Sequence, residues 1–111
     1  MKKINMTVKK FDTVSNKAYF TETEGYLVDI VFKGKNIDNI AVNKTSEGKW
    51  TLTCLSTGMW FGGIYETRNE AIESITVELM EKYIACLERN DTKLAIKALT
   101  DYKKKVAQNA K

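Results

Sequence analysis

The spacing of apolar residues changes at Thr67, and that change does most to fix the fold class. Residues 4 to 65 read as strands, several of them with apolar side chains at every second position, as half-buried strands require. Ile4, Met6 and Val8 alternate with Asn5, Thr7 and Lys9. Residues 17–23 alternate less cleanly, with Tyr19 on one face and Ala18 and Phe20 on the other. Gly25 is expected to turn the chain. Residues 26–32 are apolar on both faces apart from Asp29, the pattern of a central strand, and Gly34-Lys35-Asn36 ends it. A strand over 37–42 follows. Thr45-Ser46-Glu47-Gly48 reads as a hairpin loop, with glycine where a positive φ is needed. Trp50, Leu52 and Cys54 then alternate with Thr51, Thr53 and Leu55. Thr57-Gly58 turns again, and residues 59–65 form the last strand.

After Thr67 the period becomes helical. Thr67 and Glu70 make a capping box, in which the hydroxyl takes an orphan backbone N–H and the carboxylate reaches back. Ile72, Ile75, Leu79, Tyr83 and Cys86 fall at helical spacing along one predicted helix. Asn90 or Asp91 is expected to cap a second, whose stripe is Leu94, Ala95, Ala98, Leu99, Tyr102 and Val106. The predicted fold is a single α+β domain over 1–111. An antiparallel sheet of about five hairpin-connected strands occupies residues 1–65, and two C-terminal helices over 68–108 pack on one of its faces.

Composition narrows the function more than it names it. In 111 residues, 43% are hydrophobic and 29% charged, enough for a real core without staples. No apolar run approaches a membrane span. Met1-Lys2-Lys3-Ile4 begins like a signal peptide, but Asn5, Thr7, Lys9, Lys10 and Asp12 interrupt any apolar continuation, so a cytoplasmic, bacterial-cell location is expected. Cys54 and Cys86 are then expected to be reduced and buried. Histidine is absent, which removes the commonest general base, the common nucleophilic triads and most zinc sites. Of the eighteen basic residues only Arg68 and Arg89 are arginine. The net charge of +4 is therefore carried by point charges and not by the bidentate forks that read guanine. A non-enzymatic protein without cofactor or metal is the expectation.

Three constellations remain as candidate sites. In Gly58-Met59-Trp60-Phe61-Gly62-Gly63, the glycines do not lead into a helix and no P-loop lysine follows, so a phosphate cradle fails. A strand with a bulge at Gly62-Gly63 fits better. In a regular strand Trp60 and Phe61 point to opposite faces, so one fills the core and the other lies outside, unless the bulge turns both outward. The outer face of this hairpin, with Met59, Trp60 or Phe61 and Tyr65, is the candidate partner-binding surface. Lys103, Lys104 and Lys105, with Lys93, Lys97 and Lys111, are either a solvated helix end or a phosphate-binding stripe. The acid row Glu70, Glu73, Glu78 and Glu81 reads as a solvated face in preference to a divalent-ion site.

The run from Trp50 to Ile75, a strand, glycine turn, aromatic strand and capped helix ending TRNEAIESI, resembles small orphan proteins of phages and conjugative elements. Among these are inhibitors that switch off host defences, including anti-CRISPR proteins. The resemblance implies a stoichiometric inhibitor that occupies a surface on a larger protein or nucleoprotein complex handling nucleic acid. The alternative is a direct binder of single-stranded nucleic acid, stacking bases on the aromatics and tracking phosphates with lysines. No membrane partner is expected. Homodimerisation through an exposed edge strand over residues 4–8 is a further possibility left open by the sequence.

Overall fold

The computed structural model describes residues 1–109, so Lys111 lies outside the described residues. Five strands come first: β1 (Lys3–Asp12), β2 (Lys17–Phe32), β3 (Lys35–Lys44), β4 (Trp50–Cys54) and β5 (Trp60–Tyr65). Each pairs antiparallel with its sequence neighbour, giving one five-stranded sheet in the order β1-β2-β3-β4-β5. Helices α1 (Arg68–Glu73), α2 (Val77–Leu87) and α3 (Asn90–Asn109) follow. The fold is α+β, as the change of period at Thr67 predicts.

Gly25 departs from expectation. It does not end a strand but sits inside β2, which runs unbroken for 16 residues. The first half of β2 pairs with β1, and its second half with β3; Gly25 itself faces both Ile4 and Asn43. A Cβ there would stand 2.5 Å from Met6 Sδ and 2.9 Å from the Val42 carbonyl oxygen. Glycine is thus needed for close approach, not for a turn. The chain curls at this point, and the β1–β2 arm folds over the sheet until Lys9 N–H donates to the Gly58 carbonyl at 2.8 Å. That bond ties the first strand to the β4–β5 turn.

The curl gives the sheet a convex and a concave face. Alternate residues of β3 and β4 divide between them. Ile40, Val42, Leu52 and Cys54 face the helices and join Val28, Ala71, Met80 and Tyr83 in the main core. Phe20 on β2 stacks on Tyr102 of α3 with ring centroids 5.0 Å apart. On the concave side Ala41 meets Met6 and Val8 from the folded-over arm, with Ile4 and Leu55 beside them.

The helical half is more divided than its periodicity predicts. The expected first helix is broken into α1 and α2. Thr67 caps α1 by accepting from Glu70 N–H at 3.1 Å. The helix stops at Ser74, and Thr76 caps α2 by accepting from Leu79 N–H at 3.2 Å. Ile75-Thr76-Val77 is a β-branched run, and a threonine hydroxyl competes with the helical ladder for nearby N–H groups. The stripe of α3 also differs. Leu99 is buried and Tyr102 packs, but Leu94 and Val106 are exposed. Cys54 is buried as expected; Cys86 is exposed. It sits in the last turn of α2, where α3 sets off, with its Sγ 3.4 Å from Thr92 Oγ1. Among the described residues, no helix is long and apolar enough to cross a membrane.

Candidate functional site

The β4–β5 hairpin settles the orientation of the two adjacent aromatics. Thr53 pairs with Trp60 and Leu52 with Phe61, after which the register shifts before Trp50 meets Tyr65. Gly62, with φ +76°, lies within that irregularity, the bulge expected from Gly62-Gly63. Trp60 therefore shares the concave face with Thr53, and Phe61 shares the convex face with Leu52. Phe61 is half-buried, its ring 4.9 Å from that of Tyr83. Trp60 keeps 57% of its surface exposed. Of the two adjacent aromatics, Trp60 is the exposed one. Tyr65 packs against the convex core and covers Gly63, so it does not share a face with Trp60.

Trp60 and Met59 stand between two clefts. The first, about 650 Å³, lies on the concave side. Asn43, Thr51 and Thr53 are its buried polar floor. Thr53 Oγ1 donates to Asn43 Oδ1 at 2.7 Å, and Thr51 Oγ1 donates to the Gly63 carbonyl at 3.2 Å. Apolar walls come from Met59, Trp60 and Ile64 on one side and from Val8 and Phe11 on the arm. Lys9, Lys10 and Lys44 also line it, and no carboxylate does; the Lys44 ammonium itself lies over the Trp50 ring on the other face, 5.5 Å from its centroid. Burial of the floor with its hydroxyls satisfied fixes its shape, while the exposed rings give the walls area to cover.

The second cleft, about 760 Å³, lies where the convex side of the same hairpin meets α2 and the start of α3. Phe61, Tyr83, Cys54, Cys86, Lys82 and Arg89 are among the residues lining it. Tyr83 OH donates to Cys54 Sγ at 3.4 Å, and Asn39 Nδ2 donates to Tyr83 OH and to Ser56 Oγ. Burial first, then the bond to the Cys54 sulfur, pushes the Tyr83 phenol well above its ordinary range. A phenol kept neutral in this way serves as a packed hydrogen-bond donor.

The other predicted clusters stand apart. Lys103, Lys104 and Lys105 are exposed on α3 and line neither cleft beside Trp60; Lys104 and Lys105 instead flank Phe20 and Tyr102. The acid row is split between α1 and α2, with Glu78 paired to Lys82 and Glu81 to Lys33. No group of three or more metal-ligating side chains stands together among the described residues. The sequence reading missed Lys9, Lys10 and Phe11, which the curl of the sheet brings to Trp60, and also Asn43 and Ile64, which strand pairing and β5 itself place there. A trace of the concave face was present in the sequence. Thr51, Thr53 and Asn43 alternate with the core residues of β3 and β4, on a face that a fully covered sheet would make apolar.

The fold and its cleft define an α+β protein whose curled sheet presents one exposed tryptophan beside a lysine-lined groove. No protein-family model, curated protein or solved structure matches the chain.

Proposed function

We propose that this chain is a non-enzymatic, cytoplasmic protein-binding module that acts stoichiometrically by occupying a surface on a larger protein or nucleoprotein complex. One observation carries the reading. Trp60, more than half exposed, stands with Met59 and Ile64 at the edge of an open groove, where an aromatic anchor can be fully covered by a partner. A large aromatic in a rigid strand loses little entropy on binding, and its burial is worth about 25 cal/mol per Å². The resemblance of residues 50–75 to small phage and mobile-element proteins adds the class of target. We place the chain among inhibitors of host nucleic-acid-handling or defence machinery, of the anti-CRISPR kind.

A second reading, direct binding of single-stranded nucleic acid, is favoured by one feature: Lys9 and Lys10 line the same groove as Trp60. The two readings separate by salt. The tagged chain should co-purify one partner in stoichiometric amount from the cells it acts in. That complex should persist as salt rises and be lost with Trp60→Ser. Tight binding of a labelled oligothymidylate, weakening steeply with salt, together with no captured protein, would transfer the function to nucleic acid.

A further inference from the structure

The groove is bordered by two strand edges, and their hydrogen-bonding register is fixed. Cys54 N–H donates to the Met59 carbonyl, so Met59 and Phe61 turn their backbone groups toward β4 and Trp60 turns its own away. Thr45 N–H donates to the Lys49 carbonyl, which sets the same alternation through β3 and β4. Trp50 therefore bonds toward Tyr65, and Ile64 faces outward. On β1, Leu27 N–H donates to the Lys2 carbonyl, so the even-numbered residues bond β2 and the odd-numbered ones face the open side. Lys9 uses its outward N–H on Gly58; the next outward residue is Phe11. Among the described residues no hydrogen bond reaches the N–H of Phe11, Trp60 or Ile64 from outside the paired strands. All three residues line the same groove, which opens from the Lys9–Gly58 bond.

A groove flanked by strand edges with free donors and acceptors is a template for one more strand. We infer that it receives an extended segment of the partner protein. That segment adds to the Trp60–Ile64 edge of β5, places one large apolar side chain against Trp60, Met59 and Ile64, and carries carboxylates toward Lys9 and Lys10. Backbone pairing supplies register, the apolar residue supplies the anchor, and the charge of the lining selects an acidic segment over a basic one. The bulge at Gly62-Gly63 interrupts the edge, so it offers Trp60 and Ile64 and not a continuous row, which restricts pairing to a short stretch. The inference rests on the protein-binding reading and names the chemistry of what is bound.

The test is an NMR titration of the full chain with a blocked heptapeptide of alternating valine and glutamate around a central phenylalanine. The expected result is saturable shifts at the backbone amides of Phe11, Trp60 and Ile64. Methylating the peptide nitrogens on one edge should weaken binding about tenfold, as should exchanging glutamate for lysine. Ile64→Pro removes an edge donor at a position where an edge strand tolerates proline, and should match the methylated peptide; Ile64→Val should bind normally. If Ile64→Pro fails to fold, the methylated peptide alone decides. Absence of binding at millimolar peptide overturns the inference. So do shifts that appear on concentrating the chain by itself, which would make a second copy the occupant, and shifts seen only with oligothymidylate. If a captured partner is lost with Trp60→Ser but retained by Ile64→Pro, the protein-binding reading stands and strand addition falls.

Discussion

The two faces of the sheet are built from the same strands and are covered very differently. Along β3, Ile40 and Val42 alternate with Ala41 and Asn43; along β4, Leu52 and Cys54 alternate with Thr51 and Thr53. The first set is sealed beneath α1 and α2 as an apolar core. The second lies under a folded-over hairpin arm that covers only part of it and leaves a polar-floored groove. The contrast separates the face that stabilises the fold from the face that stays open to solvent. Burial of apolar area on the convex side stabilises the fold, which leaves the concave side free to keep Trp60 and Ile64 in solvent.

Substitutions can break or sharpen that division. The largest effect belongs to Leu52→Ala, whose side chain is wholly buried on the convex face. It should lower the unfolding free energy by about 3 kcal/mol in denaturant titration; a loss near that of a surface substitution would mean the helices do not seal this face. Gly25→Ala tests the bend that makes the two faces distinct. Its new Cβ would press on the Val42 carbonyl oxygen and Met6 Sδ, and about 2 kcal/mol of destabilisation should follow. Tyr83→Phe, the polar exception in the convex core, should cost about 1 kcal/mol.

Tyr83 also gives a pH signature. Its folded pKa is raised, so the stability that depends on the neutral phenol is fully present below the ordinary tyrosine range near about 10 and declines as pH rises beyond it. Chemical denaturation across alkaline pH should show that slope in the wild type and lose it in Tyr83→Phe. Trp60→Ser is the smallest effect on folding. It should leave stability within about 0.5 kcal/mol while abolishing partner binding. Unfolding of this variant would place Trp60 in the core and erase the distinction between the faces.

What could be read from the sequence was local. The period-two runs, the hairpin at 45–48, the bulge at Gly62-Gly63 and the Thr67 cap all rest on neighbours within a few residues. Two of the misreadings share a cause in tertiary placement, and a third is a competing local cap. Gly25 carries the same local signal whether it turns a strand or lets Met6 approach Val42. Cys86 has the spacing of a core residue, yet it lies in the last turn of α2 beside the start of α3 and is exposed. Ile75-Thr76-Val77 fits a helical stripe by polarity, while the Thr76 hydroxyl caps a new helix. The candidate site was half visible. The two aromatics and their opposite facing follow from adjacency in a strand; their neighbours Lys10 and Phe11 lie some fifty positions earlier, and no short-range pattern joins them to Trp60.

The single backbone bond from Lys9 to Gly58 fastens the end of the arm to the β4–β5 turn. Opening the arm would also part Met6 and Val8 from Ala41 and Phe20 from Tyr102, so packing and that bond hold it together. The Lys9 amide is thus a natural gauge: its rate of deuterium uptake, set against that of the Val42 amide in the core, would time the opening of the groove separately from unfolding of the molecule.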